Sequence, residues 1–222
     1  MAKRPVYLVS EKNNFKCINT DFQYFPGFAI VQKQKNIESL HSAFLKKYPN
    51  LKILEISSKS KSELGVNLSA FNLMVKGKSG RYYSVETLFQ SSKVFEKGGP
   101  YEDIRNKSSL EAKRDIRLKN SGPLVSFKIG SKIFPLEPKT FFYNWLYINA
   151  LAANPNFIEE LVSYDAFTDI EFNPAKSINC QAEAAAIFVS LYRKNLLEFA
   201  LKDSESFLKV VYPLFANNDN FD

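Results

Sequence analysis

The sequence predicts an α+β fold: one helix-dominated domain with short β-strands mainly in its N-terminal half. Three observations predict it. Short runs rich in aromatic and β-branched residues cluster before residue 80. After Pro138 the chain repeats apolar residues at helical spacing. No linker, repeat or low-complexity segment divides the 222 residues, which are therefore expected to form one domain, 1–222.

In chain order, PVYLV (5–9) and FKCINTDFQYF (15–25) have strand composition. Residues 35–48 place Ile37, Leu40, Phe44 and Tyr48 on one helical stripe, closed near Pro49. KILEIS (52–57) is a strand that runs into SSKSKSELG, a loop with few apolar anchors. FNLMVK (71–76) is a further strand, and GKSG (77–80) a turn. A helix over 84–93 follows, with Ser84 as N-cap and Glu86 in the first turn, where the helix dipole favours a carboxylate. Gly98, Gly99 and Pro100 end that region. KSSLEAKRDIRLK (107–119) has the alternating charges of a solvated helix, or of one that touches phosphates. LVSFKIG (124–130) and KIFPLE (132–137) suit a hairpin with Pro135 on an edge. Residues 141–153 and 155–165 are helical, with Pro155 near the second start. A last long helix runs from Ser177 or Asn179 to Lys202.

Composition narrows the function. The net charge of +7 favours anionic partners, meaning nucleic acid or phosphorylated metabolites. Twenty Phe and eleven Tyr supply a large aromatic core. Two cysteines, Cys17 and Cys180, are too few for a disulfide framework and suit a reducing cytoplasm. No apolar run approaches the roughly 18 residues of a membrane span, and the start lacks a signal peptide's pattern. The single histidine, His41, flanks an apolar stripe, so a structural role is expected. No cluster has metal-ligand spacing and no phosphate-binding P-loop is present, so neither metal nor cofactor is expected.

In SVETLFQSSK (84–93), helical spacing brings Glu86, Gln90 and Lys93 onto one polar strip beside Val85, Leu88 and Phe89. Such a strip is either a solvated edge or an acid and a base facing a pocket. Taken with LSAF (68–71) and with YDAFTDIEF…SINCQAEAAAIFVSLYR (164–193), this stretch resembles the NADAR superfamily, whose pattern runs F-S-N-F, then S-E-H-x-F-Q-x-x-K-F, then a late N-D-x-x-W-G segment. Residues 67–95 and 164–193 are the core motifs, with 1–60 as an N-terminal extension packed on the domain. That extension resembles the subgroup paired with DarT-type toxins, which attach ADP-ribose to guanine in DNA. The sequence departs from the superfamily pattern at Ala70, Thr87, Thr168, Asp169 and Ile170.

The resemblance implies an enzyme that hydrolyses an N-glycosidic bond to ribose. It would remove ADP-ribose from guanine in DNA, as the antitoxin of a DarT-type toxin. Glu86, Lys93 and Asp165 are the catalytic candidates. Glu86 would stabilise an oxocarbenium-like state or activate water. Lys93 would form a Schiff base if neutral, or bind phosphate or the leaving base if charged. Substrate-binding candidates are Ser57, Ser58 and Lys59 for pyrophosphate, with Asn72, Arg81, Gln90, Trp145, Asp169 and Asn179. Several also have a plain structural reading: a surface loop for Ser57–Lys59, core for Trp145, a helix cap for Asn179. The lysines at 33, 35, 46, 47, 59 and 61 could track DNA phosphates, and an extruded base would reach the pocket. Two rival readings are a hydrolase of a small phosphoribosyl-amine metabolite and an inactive module that binds ADP-ribose or DNA.

Overall fold

A computed structural model describes residues 1–10 and 12–216. In chain order the elements are β1 (Ala2–Ser10), β2 (Asn14–Phe22), α1 (Ile30–Leu45), β3 (Ile53–Glu55), α2 (Glu63–Asn67), β4 (Met74–Lys76), β5 (Tyr82–Ser84), α3 (Val85–Ser91) and β6 (Lys93–Phe95). Then follow α4 (Ser109–Lys113), α5 (Arg117–Asn120), β7 (Leu124–Ile129), β8 (Lys132–Phe134), α6 (Phe141–Ala152), α7 (Ile158–Leu161) and β9 (Ala166–Thr168). The chain closes with α8 (Gln181–Arg193), α9 (Leu197–Leu201), α10 (Ser204–Val211) and α11 (Pro213–Ala216). The arrangement is mixed α+β, with most strands in the first half, as the composition predicts.

The main sheet has the order β2-β1-β9-β3. β9 runs antiparallel to β1 and parallel to β3, so residues from the first 60 share a sheet with residues 166–168. Side chains alternate faces along a strand. Val6 and Ala166 point to one side, where Ile37, Leu40 and Phe44 of α1 cover them. Tyr7, Leu54 and Phe167 point to the other, into a larger core with α6 and α8. The alanines at 182 and 184–186 are fully buried, and their small side chains let α8 lie close to β1, β2 and α6.

An aromatic stack anchors the second half. Phe89 of α3 packs on Phe127 at 5.5 Å, Phe127 on Phe142 at 4.6 Å, and Phe142 on Phe134 at 4.9 Å. Each buried ring contributes about 1.5–3 kcal/mol through burial. Together they hold α3 and the β6-β7-β8 sheet against α6.

Several boundaries differ from the sequence expectation, each for a local reason. The Ser/Lys-rich loop contains α2, which Ser62 caps by accepting from the Gly65 N–H. The strand expected over 71–76 begins only at Met74, because Asn72 and Leu73 both donate their N–H to the Ser69 carbonyl in a turn. The helix expected over 107–119 breaks at Asp115, whose carboxylate accepts from the Arg117 N–H at 3.0 Å. The helix expected over 155–165 ends at Leu161, and β9 follows it at Ala166. The last helix stops at Arg193. Asn195 adopts φ 56°, Leu196 donates to the Leu191 carbonyl and Asn195 to that of Tyr192, the paired bonds of a Schellman cap.

Candidate functional site

α3 starts where the sequence places it. Ser84 accepts from the Thr87 N–H at 3.1 Å, and Thr87 Oγ1 returns a bond to the Ser84 carbonyl at 2.9 Å. Thr87, where the superfamily pattern has His, is thus spent on the cap. Glu86 and Gln90 fall one turn apart and are both buried, and Gln90 Nε2 donates to Glu86 Oε1 at 2.9 Å. The strip is therefore not a solvated edge. Lys93 differs from expectation: the helix ends at Ser91, and Lys93 opens β6, paired with Phe127. Its Nζ lies 4.9 Å from the centre of the Phe89 ring and faces the same space as Glu86.

That space is a cleft of about 710 Å³, within the usual size of small-molecule sites. Ser57, Ser58 and Lys59 line it from the end of β3, Glu86, Gln90 and Lys93 from the centre, and Asp169 and Asn179 from the segment after β9. Four candidates lie elsewhere. Asp165 does not line the cleft; it accepts from the Lys52 N–H at 3.0 Å and pairs with Arg193 at 3.2 Å, pinning the start of β9. Asn72 is exposed and donates to the Val66 carbonyl at 2.9 Å. Arg81 is exposed in the β4–β5 turn. Trp145 packs on Phe134 at 4.9 Å, among core residues.

The cleft also gathers residues that the sequence did not single out. Gln181 bridges two loops, accepting from the Ala70 N–H at 2.7 Å and donating to the Ile56 carbonyl at 2.6 Å. Tyr143, Phe71 and Phe172 supply apolar wall. Lys113 and Arg114, within the charged stretch flagged for phosphate contact, reach the rim. Only their separation of about twenty residues from Lys93 hid them: no local spacing links the two segments.

The electrostatics are uneven. Burial lowers the pKa of Lys93, Glu86 opposes that, and Lys113 adds to the lowering. Lys93, Lys113 and Arg114 make no ion pair among the described residues. Asp169 is pushed up to about 8 by burial and by the nearby Glu55 carboxyl. Two buried amide oxygens of the cleft, Gln90 Oε1 and Asn179 Oδ1, have no hydrogen-bond partner among the described residues. Such acceptors are costly when left unpaired and suit a ligand that donates hydroxyls or N–H groups. No group of three or more metal-ligating side chains occurs among the described residues, and no helix there is long and apolar enough to cross a membrane.

Comparison with curated proteins found no match. Comparison with family descriptions found one that spans residues 2–220, the DarT1-associated NADAR antitoxin family, so the lining of the cleft and the two core motifs lie within a single match. The chain belongs to the DarT1-associated NADAR antitoxin family.

Proposed function

We propose that this antitoxin is an enzyme that removes ADP-ribose from guanine bases in DNA by cleaving the N-glycosidic bond. The observation that carries this reading is the convergence of buried Glu86, its partner Gln90 and the amine of Lys93 on one cleft. Breaking such a bond builds positive charge at the ribose C1′. The Glu86 carboxylate, desolvated and held by Gln90, is suited to stabilise that charge and to align water. Gln90 Oε1 and Asn179 Oδ1 offer acceptors to ribose hydroxyls. Lys113 and Arg114 at the rim, with Ser57, Ser58 and Lys59, offer donors to pyrophosphate and to DNA phosphates. Of the lysines counted as a basic N-terminal third, Lys33 is bound to Glu171 at 2.9 Å and Lys61 to Glu38, which leaves the rim cations as the better DNA contacts.

The lowered pKa of Lys93 favours a covalent route. Its neutral amine would bond C1′ of the ring-opened sugar while the bond to guanine breaks and the base leaves with a proton. Water would then hydrolyse the imine, freeing ADP-ribose and the amine.

The test is an oligonucleotide carrying ADP-ribosylated guanine, incubated with the protein and followed by mass spectrometry. Unmodified guanine is expected to return, and borohydride to trap an adduct on Lys93. Glu86→Gln keeps the shape and the Gln90 contact but loses the charge, and is expected to slow release at least 100-fold. Release by Glu86→Gln at the wild-type rate would remove Glu86 from catalysis. Turnover of a phosphoribosyl-amine in preference to the modified DNA would overturn the substrate assignment.

A further inference from the structure

Behind the cleft lies a buried hydrogen-bonded chain that the reading above does not use. His41 Nε2 on α1 is 2.8 Å from Thr168 Oγ1 on β9, and Thr168 Oγ1 donates to Glu55 Oε2 on β3 at 2.6 Å. The Ile170 N–H donates to Glu55 Oε1 at 2.8 Å. Glu55 therefore holds the residues on both sides of Asp169, through the Thr168 hydroxyl and the Ile170 backbone N–H. Asp169 Oδ1 accepts from the N–H groups of Glu171 and Phe172 at 3.0 and 3.2 Å. Its Oδ2 has no hydrogen bond among the described residues, and Asp169 lines the cleft.

The chain has a direction. A hydroxyl has one hydrogen, and that of Thr168 is given to Glu55. The Thr168 oxygen must then accept from His41, which makes His41 the Nε2–H tautomer. Burial keeps His41 neutral, with a pKa lowered to about 4. Three donors, the Thr168 hydroxyl, the Ile170 N–H and the Ser57 hydroxyl, converge on Glu55 and favour its charged form, against the burial that raises its pKa. No cation contacts either carboxyl among the described residues. Around Asp169 stand Glu55 on β3, Glu171 in the next turn, Tyr143 and Tyr147 on α6, and Cys180 before α8. All of these are neutral or acidic, and the nearby Lys33 is bound to Glu171. Two carboxyls in such surroundings hold one negative charge between them, because the second ionisation is opposed by both desolvation and the first charge.

We propose that Asp169 is the proton donor of the cleft, kept as a carboxylic acid near neutral pH, and that Glu55 is the positioning residue that keeps it so, with Thr168 and His41 orienting Glu55. This role rests on the glycohydrolase reading, while the protonation state does not. In the reaction, the C1′–N bond breaks with its electron pair going to the guanine amine, and Asp169 Oδ2 transfers its proton to that nitrogen. The water that ends as the C1′ hydroxyl returns one proton to the Asp169 carboxylate. The bulk of the protein exchanges no net proton over the cycle.

The first measurement needs no substrate. The full chain, labelled with ¹³C at the Asp and Glu carboxyls and ¹⁵N at histidine, is titrated by NMR from pH 4 to 9. One carboxyl titrating above pH 6, absent in Asp169→Asn, is expected, and Glu55→Gln should move it to lower pH. Because His41 is the only histidine, one imidazole spectrum reports the chain. It should show the Nε2–H tautomer in the wild type and the Nδ1–H tautomer in Glu55→Gln, whose amide can donate to Thr168. An Asp169 carboxyl that titrates in the ordinary range in the wild type overturns the proposal, even if Glu55→Gln fails to fold. The second measurement is release of ADP-ribose from guanine DNA. Asp169→Asn is expected to lose 100-fold or more in rate, the usual scale of general acid catalysis, with binding of ADP-ribose retained. Wild-type release by Asp169→Asn would remove the donor role. An inactive wild type would remove the glycohydrolase reading and leave the NMR result standing.

Discussion

Replacing Gln181 by Ala tests how the cleft is held open in its working shape. Gln181 is the first residue of α8, and its amide joins two chain segments that are 14 residues apart and share no ladder. The deletion leaves the Ala70 N–H and the Ile56 carbonyl without their partners. An unpaired buried polar group costs about 1–3 kcal/mol, so two give roughly 2–6 kcal/mol. Gln181 borders the cleft, so water can enter the vacated space and recover part of this. A loss of about 2–3 kcal/mol is expected. For a chain of this length each kcal/mol lowers Tm by about 2–4 °C, so the midpoint should fall by roughly 4–12 °C. Calorimetry or urea unfolding reads this directly. Gln181→Glu separates the two bonds. Its carboxylate can still accept from Ala70 but sets an oxygen against the Ile56 carbonyl. At pH 7 it should be less stable than Gln181→Ala, and it should recover as acid protonates the carboxyl. A change below about 0.5 kcal/mol in Gln181→Ala, or a Gln181→Glu protein as stable as the wild type, would refute the clamp.

Two further outcomes follow from the same geometry. Alanine normally stabilises a helix relative to glycine by about 1 kcal/mol, but Gly65→Ala in α2 should destabilise, since a Cβ there would lie 2.0 Å from the Glu55 carbonyl oxygen and 2.4 Å from Ser60 Oγ. A loss of at least about 1–3 kcal/mol, typical of overpacking, is expected in urea unfolding, and a gain would show that α2 shifts freely. The pH dependence of stability should have two limbs. His41, lowered to about 4 in the fold, binds fewer protons than in the unfolded chain, so its contribution rises with pH between about 4 and 6.5. Asp169, raised to about 8, binds more protons folded than unfolded, so stability falls as pH climbs from its unfolded value through 8. Above pH 6.5 only the falling limb remains of these two, and Asp169→Asn should flatten it. Equal slopes for the variant and the wild type would exclude the raised Asp169.

Much of this protein was legible in local sequence. The cap Ser84, the apolar face of Val85, Leu88 and Phe89, the hairpin of β7 and β8 and the long apolar helix α6 each depend on neighbours within a few residues, and periodicity reports such contacts. The proximity of Glu86 and Gln90 follows from helical spacing, and resemblance marked both for a site. Ser57–Lys59, Lys93, Asp169 and Asn179 also reach the cleft. What tertiary structure decided is of another kind. β9 is three residues long and gains its identity only by pairing with β1 and β3, which lie more than 100 residues away. That pairing turns Asp165 toward Lys52 and Arg193, away from the cleft, and turns Asp169 into it, four residues further on. Lys93 leaves the helix for β6 because its strand partner Phe127 comes from a later segment. Gln181, Lys113 and Arg114 meet the site only through the packing of α8 and α4. The sequence alone determined the locally stabilised elements and the chemistry available. Long-range pairing, whose energy no local window contains, decided which of those side chains share one cavity and which carboxyls must share one proton.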